Sequence, residues 1–407
     1  MNPEDRHVSI EGHIETKVQN FFNQLLPYDQ LTPSYLSSAT PSDVYVLLKL
    51  SNKYRLGDHP QGNARDRNIE VVKNSIETDE PIPIVVTIGT SKWYDGSHTE
   101  SNVANLSEVL MLEQLSHMDR RIKHYFQPGL SITLLAEDIT NQWLYGLMFP
   151  HVNIAINNMT YLTSVNLLVS TFRNTTGVDV QLVLEQELLK RQDITFKNYV
   201  EICERNRNIF SNLFQISRIL EEKYLSSHGL LGWTDNEWNF FVRDVLSKTD
   251  EYILVNSVGW RGGVHPNVRA FYLHQFEKST GVQEDGESYL AAYFGGVLAR
   301  KQLNILKLAS DNKKFIKVAF LRYPSGSTKE SNNAIQVSQH PLTGFGLSHH
   351  HISPWASHTQ IAINEKGVCR LRVIPAKNED TLLTDAAKHF RLHYHGINIP
   401  IDVVSDL

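Results

Sequence analysis

This sequence contains PIPIVVTIGTSK at residues 81–92 and LSITLLAED at residues 130–138. Both runs are apolar, and each ends in polar, chemically capable side chains. The first run is rich in Ile and Val without alternation, which is typical of a parallel strand covered on both faces. Apolar residues between the two runs recur at helical spacing from Asn105 to Tyr125, and Pro128-Gly129 stops that helix. The stretch therefore predicts a strand, a helix and a second strand.

A right-handed crossover would place the ends of both predicted strands at one edge of a parallel sheet. Open α/β sheets bind ligands at that edge. Lys92 follows the first strand, and Glu137 and Asp138 follow the second. The sequence therefore predicts a site in which an ammonium group lies beside two carboxylates.

Length and composition favour a globular protein without a nucleic-acid or membrane role. The chain has 407 residues, a formal net charge of −5 and two cysteines, Cys203 and Cys369. It therefore has no global basic field and no disulfide framework, which favours a reducing compartment. Residues 1–7 lack the apolar core of a signal peptide, and no apolar run is long enough to cross a membrane. We expect a cytoplasmic protein with small-molecule partners, and a homodimer is compatible with this sequence.

The pattern along the chain predicts an α/β fold with a Rossmann-like, mostly parallel sheet flanked by helices. Residues 1–80 are expected to form a mostly helical subdomain, and residues 81–407 the catalytic domain. A helical insertion is expected at about 161–252, and Val178–Lys190 is predicted to be one of its helices. The last ninety residues are expected to form a β-rich, antiparallel extension of the sheet from four short strands. These strands are Phe315–Leu321, Ala334–Ser338, Thr359–Asn364 and Val368–Val373.

Lys92 is a candidate for neutralising a phosphate or carboxylate, or for forming an imine if burial lowers its pKa. The simpler alternative is a solvated surface lysine. The sequence cannot choose between Glu137 and Asp138, because adjacent residues on a strand point to opposite faces and only one is expected to reach the site. Gly259–Gly263 resembles a backbone nest in which Arg261 would help to hold an anion, although a turn arginine is the alternative.

Several common chemistries lack their motifs. The sequence has no Walker A or dinucleotide-binding glycine fingerprint and no G-x-S-x-G nucleophile elbow. Histidines crowd the C-terminal region, but no H-E-x-x-H or cysteine-containing ligand pattern accompanies them. Successive histidines in an extended segment cannot all face one ion, so substrate contact is the favoured role. These histidines are His340, His349, His350, His351 and His358.

Taken in order, segments across residues 80–375 resemble the isocyanide (isonitrile) synthase family of the pyoverdine and dityrosine biosynthetic type. The first segments are Pro81–Val86, the Ser91-Lys92 loop, Tyr125–Gly129 and Ser131–Asp138. The later segments are Ile335–Pro341, similar to the family's Ile-Arg-Leu-Ser-Ile-His-Pro, then Ser353-Pro354-Trp355 and the glycine turn Glu365–Gly367.

This chain departs from the family pattern where the ligand is expected. Its loop reads Ser-Lys in place of Lys-Ser, and residues 136–138 replace Ser-Asp-Gly. Gln336 replaces an arginine and Ala356 replaces the histidine after Trp355, with His358 as the available substitute. The chain therefore resembles a divergent relative, for which a different substrate or even a different reaction is expected.

The resemblance implies a transferase of secondary metabolism that joins the α-amine of an amino acid to a carbon of ribulose 5-phosphate. It requires no metal and no cofactor other than this co-substrate. Lys92, Glu137 and Asp138 would be catalytic. The substrate-binding candidates are Ser91, Arg261, Arg322, Gln336, His340, Trp355 and His358.

Two other classes of function remain open at this point. A protein on the same scaffold could bind an amino acid or a sugar phosphate without transforming it. Alternatively, a metal-dependent oxygenase could use the C-terminal histidines as ligands.

Overall fold

The computed structural model describes eleven parts of the chain. These are residues 14–24, 40–50, 62–90, 103–150, 153–228, 269, 273, 286–320, 334–337, 357–375 and 388–406. Within them, no helix is both long enough and apolar enough to span a membrane.

A parallel sheet forms the centre of the described structure. Its strands are β1 (Ile82–Ile88), β2 (Leu130–Ala136), β3 (Asp179–Leu184), β4 (Ile316–Ala319) and β5 (Ile335–Gln336). They lie in the order β3-β2-β1-β4-β5, and every neighbouring pair is parallel. The predicted α/β fold with a mostly parallel sheet is confirmed.

The helices lie before, between and after these strands. The described helices are α1 (residues 14–24), α2 (Pro41–Leu50), α3 (Asn63–Thr78), α4 (Leu106–Lys123), α5 (Asp138–Met148), α6 (Ile154–Thr176), α7 (Glu185–Lys190), α8 (Phe196–His228), α9 (Gly286–Gln302) and α10 (Ile305–Ala309).

The unit β1-α4-β2 forms as predicted because its local signals agree. Asn105 accepts a hydrogen bond from the backbone of Ser107 at 2.9 Å, and Glu108 accepts one from the backbone of Asn105 at 2.8 Å. This capping box satisfies amide groups that the first turn of α4 would leave without partners.

The turn between α4 and β2 requires glycine at position 129. Gly129 has φ +71°, and an added Cβ would lie 2.5 Å from Asp119 Oδ1. The same Asp119 oxygen accepts the backbone N–H of Leu130 at 2.8 Å, where β2 begins. The Pro-Gly stop signal therefore fixes the start of the strand that carries Glu137 and Asp138.

The two faces of the sheet pack into different cores. Ile84, Val86 and Ile88 of β1 face a core that includes α4 and α6. Val85, between them, faces a second core with residues of α5, α7, α8 and α9. Because both faces are covered, β1 has no polar face, which explains its continuous apolar sequence.

The helix predicted at Val178–Lys190 is wrong in its first part, where the structure has strand β3, and right at α7. Gly177 ends α6 with φ +70°, and the chain enters the sheet two residues later. Asp179 and Gln181 are exposed while Val180 is buried, which is the alternation of a strand rather than a helix. The region predicted as a helical insertion therefore contains the edge strand of the main sheet.

The C-terminal prediction is right about strands and about antiparallel pairing among the last of them, but wrong about the first two. Ile316–Ala319 and Ile335–Gln336 are parallel members of the main sheet, as β4 and β5. The last strands form a second sheet, in the order β7-β6-β9-β8. They are β6 (Ser357–Asn364), β7 (Cys369–Pro375), β8 (Lys388–Tyr394) and β9 (Ile397–Asp406).

The second sheet is mostly antiparallel, although β6 and β9 pair in parallel. It packs on α4, where the hydroxyls of Ser107 and Thr359 lie 2.8 Å apart. Fifteen of the eighteen residues of α4 are consequently buried. The sequence pattern did not predict that α4 would lie between two sheets. The division of the chain at residue 80 stays a prediction.

Candidate functional site

The register of the parallel sheet brings two glutamates together at its carboxyl edge. Ile88, Ala136 and Leu184 lie side by side as the last paired residues of β1, β2 and β3. Glu137 and Glu185 are the next residues of their strands, so they occupy the same row and the same face. The backbone N–H of Glu137 continues the ladder by donating to the Ile88 carbonyl at 3.0 Å.

Arg300 of α9 bridges these two glutamates. Its Nη1 donates to Glu137 Oε1 at 2.5 Å, and its Nε forms an ion pair with Glu185 Oε1. The Glu185 side chain is fully buried, the Arg300 side chain is 12% exposed and the Glu137 side chain is 26% exposed. Glu137 is therefore the member of this group that solvent reaches best.

Hydroxyl groups complete the surroundings of Glu185. The Thr140 hydroxyl donates to Glu185 Oε2 at 2.7 Å and lies 2.6 Å from the Tyr199 hydroxyl. Burial raises the pKa of Glu185, while the Arg300 guanidinium opposes that rise. We call Glu137, Glu185, Arg300, Thr140 and Tyr199 the arginine cluster.

Cys203 lies near this cluster, with its thiol buried. Burial raises the pKa of its thiol to about 12, so the thiol stays protonated at neutral pH. A reactive cysteine needs an available thiolate.

Asp138 points to the opposite face of the sheet from Glu137. Its side chain is buried and its Oδ1 accepts the backbone N–H of Gln186 at 3.2 Å. Burial raises its pKa from 3.8 to about 6, and the hydrogen bond from Gln186 only partly opposes that shift. A carboxyl group with such a pKa exists in both protonation states near neutral pH, as general acid–base catalysis requires.

A pocket of about 540 Å³ lies against Asp138, and we call it the Asp138 pocket. Four side-chain amides and one hydroxyl give it a polar wall, and a second carboxylate, Glu187, also lines it. The amides and hydroxyl belong to Gln142, Asn158, Asn166, Gln186 and Thr163. No lysine, arginine or histidine of the described residues lines this pocket. Its chemistry suits hydroxyl and ammonium groups and does not suit a phosphate.

Asn158 carries an unused acceptor beside Asp138. Its Nδ2 donates to the Asp138 carbonyl oxygen at 3.3 Å, but its buried Oδ1 has no hydrogen-bond partner within the described part of the chain. Buried polar atoms are nearly always paired. This oxygen is therefore an unsatisfied buried acceptor beside Asp138.

The predicted site residues are only partly described. Ser91, Lys92, Arg261, Arg322, His340 and Trp355 lie outside the described residues, and for Gln336 and His358 only the backbone is described. Glu137 and Asp138 lie at the expected sheet edge and on opposite faces. The predicted partnership of Lys92 with these carboxylates stays a prediction, whereas the described structure places Arg300 on Glu137.

Sequence reasoning missed Glu185 and Arg300. Glu185 was assigned to the middle of a predicted helix because β3 was not recognised, and a strand ending at Leu184 would have placed it beside Glu137. Arg300 lies 163 residues from Glu137, and no local pattern joins the two.

The histidine-based metal site also stays untested, because its residues are not described as side chains. Among the residues that are described, no group of three His, Cys, Asp or Glu side chains could hold a metal ion. The carboxylates at the sheet edge lie on two different faces, so they do not converge on one ion.

Comparison with known proteins adds little to this geometry. No family model and no curated protein matches the sequence. Among solved structures, the chain is similar to the crystal structure of the PvcA protein from Pseudomonas aeruginosa. The two share 13% identity with a TM-score of 0.47, over 90% of this chain and 100% of the other. A likeness at that level carries no argument about function.

Proposed function

We propose that this chain is a biosynthetic enzyme of the isocyanide-synthase type, which joins the α-amine of an amino acid to a carbon of ribulose 5-phosphate. The observation that carries the proposal is Asp138, a buried carboxyl group that faces a pocket with both polar and apolar lining at the carboxyl edge of a parallel sheet. The ordered sequence motifs between residues 80 and 375 support it independently.

Condensation of an amine with a ketone needs a group that both removes and supplies protons. The amine nitrogen loses a proton as it bonds to the carbonyl carbon, and the ketone oxygen becomes a hydroxyl group. That hydroxyl group must then gain a proton to leave as water. Asp138 suits both steps because its pKa of about 6 keeps the acid and the carboxylate accessible near neutral pH.

The Asp138 pocket supports the recognition of the amine. An ammonium group would find two carboxylates there, Asp138 and Glu187. Since the described lining contains no cation, the phosphate of the sugar would be held elsewhere, and Lys92 and Arg261 remain the proposed ligands. Glu137, bound to Arg300, would position the site rather than transfer protons.

The test uses purified protein, ribulose 5-phosphate labelled with carbon-13 at C2, and pooled amino acids. Mass spectrometry should find the label in a new amine-derived isocyanide or formamide. Asp138→Asn should lower the rate by at least about a hundredfold, since general acid–base groups contribute about that factor or more. Asp179→Asn is the matched control, because Asp179 is exposed at the other end of the neighbouring strand β3.

Two results would overturn the proposal. Equal rates for Asp138→Asn and the wild type would remove Asp138 from the chemistry. Thermal stabilisation by an amino acid without any labelled product would favour a binding protein.

The identity of the amino acid depends on Gln336, which replaces an arginine of the family. Gln336 lies at the carboxyl end of β5, paired with Ala319, and therefore belongs to the same sheet edge. Loss of a cationic anchor there would favour a different amino donor. Gln336→Arg should therefore gain turnover with tyrosine or tryptophan, and no gain with either would contradict this explanation.

A further inference from the structure

A second pocket lies at the opposite end of the sheet from the candidate site. It has a volume of about 460 Å³ and lies between α3, α10 and the start of β4. Phe315 and Lys317 line it, on either side of the first residue of β4. A volume of this size falls within the range of small-molecule sites, about 300 to 1,000 Å³. We call it the cationic pocket.

Positive charge is concentrated around this pocket. Five cationic side chains line it, against one lining carboxylate, Glu70, and a second, Glu80, that pairs with Lys313, which leaves an excess of three positive charges. The cationic residues are Arg67, Lys307, Lys313, Lys314 and Lys317. The whole chain, by contrast, carries a net charge of −5. The excess is therefore local and opposite in sign to the rest of the molecule.

A fixed turn sets the positions of these lysines. Asp311 and Asn312 are successive left-handed residues, with φ of 50° and 63°. The Asn312 N–H donates to the Lys307 carbonyl at 2.8 Å, and the Lys313 N–H donates to the Ser310 carbonyl at 2.9 Å. The turn thus holds lysines from α10 and from the approach to β4 around one space.

Two of the lysines have acidic partners that an anionic ligand would displace. Lys314 Nζ lies 2.7 Å from Glu70 Oε1, and Lys313 Nζ lies 3.0 Å from Glu80 Oε2. All four side chains are more than half exposed. Exposed pairs of this kind are weak, whereas phosphate makes strong charge-assisted hydrogen bonds with several cations at once.

Apart from two amides, Asn68 and Asn312, the rest of the lining is apolar. Ala64 and Val71 come from α3, Leu306 from α10, and Phe315 from the segment before β4. A bare phosphate would leave these side chains without a partner. An apolar or aromatic body joined to a phosphate group would cover them.

We propose that the cationic pocket binds an organic phosphate with an aromatic body, of the nucleoside phosphate class. The cationic rim would hold the phosphates, and the apolar wall would hold the base. The site lies at the amino end of β4, so it is separate from the carboxyl-edge chemistry and does not depend on the proposed function.

Isothermal titration calorimetry of the full chain tests the proposal with ADP, pyrophosphate, adenosine and ribulose 5-phosphate as probes. ADP should bind at least about tenfold more tightly than each of the other three, since only ADP combines both features. Equal binding of ADP and pyrophosphate would reject the claim that the pocket recognises an aromatic body. Tighter binding of a single-stranded oligonucleotide than of ADP would also overturn the proposal, in favour of a nucleic-acid surface.

Lys314→Gln and Lys73→Gln form a matched pair for the same titration. Each lysine is exposed and pairs with a glutamate that α3 carries, but only Lys314 lines the pocket. Lys314→Gln should weaken ADP binding about tenfold, as the loss of one charge-assisted hydrogen bond predicts. Lys73→Gln should bind ADP as the wild type does, and equal effects of the two changes would refute the site.

Leu306→Gln tests the apolar wall. It should weaken ADP binding while leaving pyrophosphate binding unchanged, and the retained pyrophosphate binding would show that the variant is folded. An unchanged affinity for ADP would show that the apolar wall does not contribute to binding. Because the labelled-product assay reports only on the other end of the sheet, either proposal can fail without the other.

Discussion

Glu137 and Asp138 are neighbours in sequence, yet their carboxyl groups have opposite electrostatic surroundings. Glu137 lies on the face of α8 and α9, where Arg300 binds it at 2.5 Å. Asp138 lies on the face of α6, where amides and a backbone N–H surround it and no described cation lines its pocket. One peptide bond therefore separates a carboxylate with a cationic partner from a buried acid without one.

The comparison separates two effects of burial on carboxyl groups. On the arginine side, buried Glu185 receives a guanidinium and two hydrogen bonds from Thr140, and these oppose the rise of its pKa. On the pocket side, burial acts on Asp138 with only backbone donors to oppose it. The first arrangement stabilises structure, and the second keeps a proton available near neutral pH.

Removal of Arg300 should have the largest effect. Arg300→Met leaves Glu185 buried without its cation, and breaking a buried pair in this way costs about 3 to 5 kcal/mol. Urea unfolding at pH 8 measures this loss against Lys301→Met, a change at the exposed neighbouring position. The double variant Arg300→Met with Glu185→Gln should recover much of the loss, and no recovery would mean that the pairing does not explain it.

The second effect is a pH dependence of stability that belongs to Asp138. Its folded pKa of about 6 exceeds the ordinary value of 3.8, so the folded state holds a proton that the unfolded state has already lost. Its contribution to the free energy of unfolding is therefore full below about pH 4 and is lost as the pH rises to about 6. Two pKa units correspond to about 3 kcal/mol.

Asp138→Asn removes that dependence because an amide does not titrate. The difference in free energy of unfolding, variant minus wild type, should therefore rise by about 3 kcal/mol from pH 4 to pH 7. Chemical denaturation at each pH measures this difference. Asp179→Asn, at an exposed position, should keep the wild-type pH profile. Parallel profiles for Asp138→Asn and the wild type would contradict the contrast between the two faces.

The smallest predicted effect concerns Thr140. Thr140→Val removes the hydroxyl that donates to Glu185 and contacts Tyr199, at a cost of about 1 to 2 kcal/mol. Thr160→Val is the control, because its exposed hydroxyl bonds only a carbonyl of its own helix at 3.0 Å. Similar unfolding free energies for the two variants would show that the hydroxyl near Glu185 adds no stability.

Local signals explain which parts of the fold were predictable. The unit β1-α4-β2 was predicted because its capping box, its Pro-Gly stop and its apolar strands all lie within sixty residues. Residues 178–190 were misjudged because Val180, Leu184 and Leu188 also fit helical spacing. The choice between strand and helix there depends on whether β2 offers an edge to pair with, and that is a tertiary fact.

The site was predictable in location and not in composition. The strand ends after residues 88 and 136 were sufficient to place Glu137 and Asp138 at one edge. Their different partners come from α6, α7 and α9, which are distant in sequence and carry no motif for the task. The orientation of adjacent residues to opposite faces was foreseen, but which face held the cation was not.

The position of α4 between two sheets implies a late step in folding. Tyr394 of β8 donates to Glu113 of α4 across 281 residues, and Gln19 of α1 donates to the His393 carbonyl across 374. Such contacts close the longest loops in the chain, so they form slowly. The second face of α4 is therefore covered only after β6 to β9 have been synthesised.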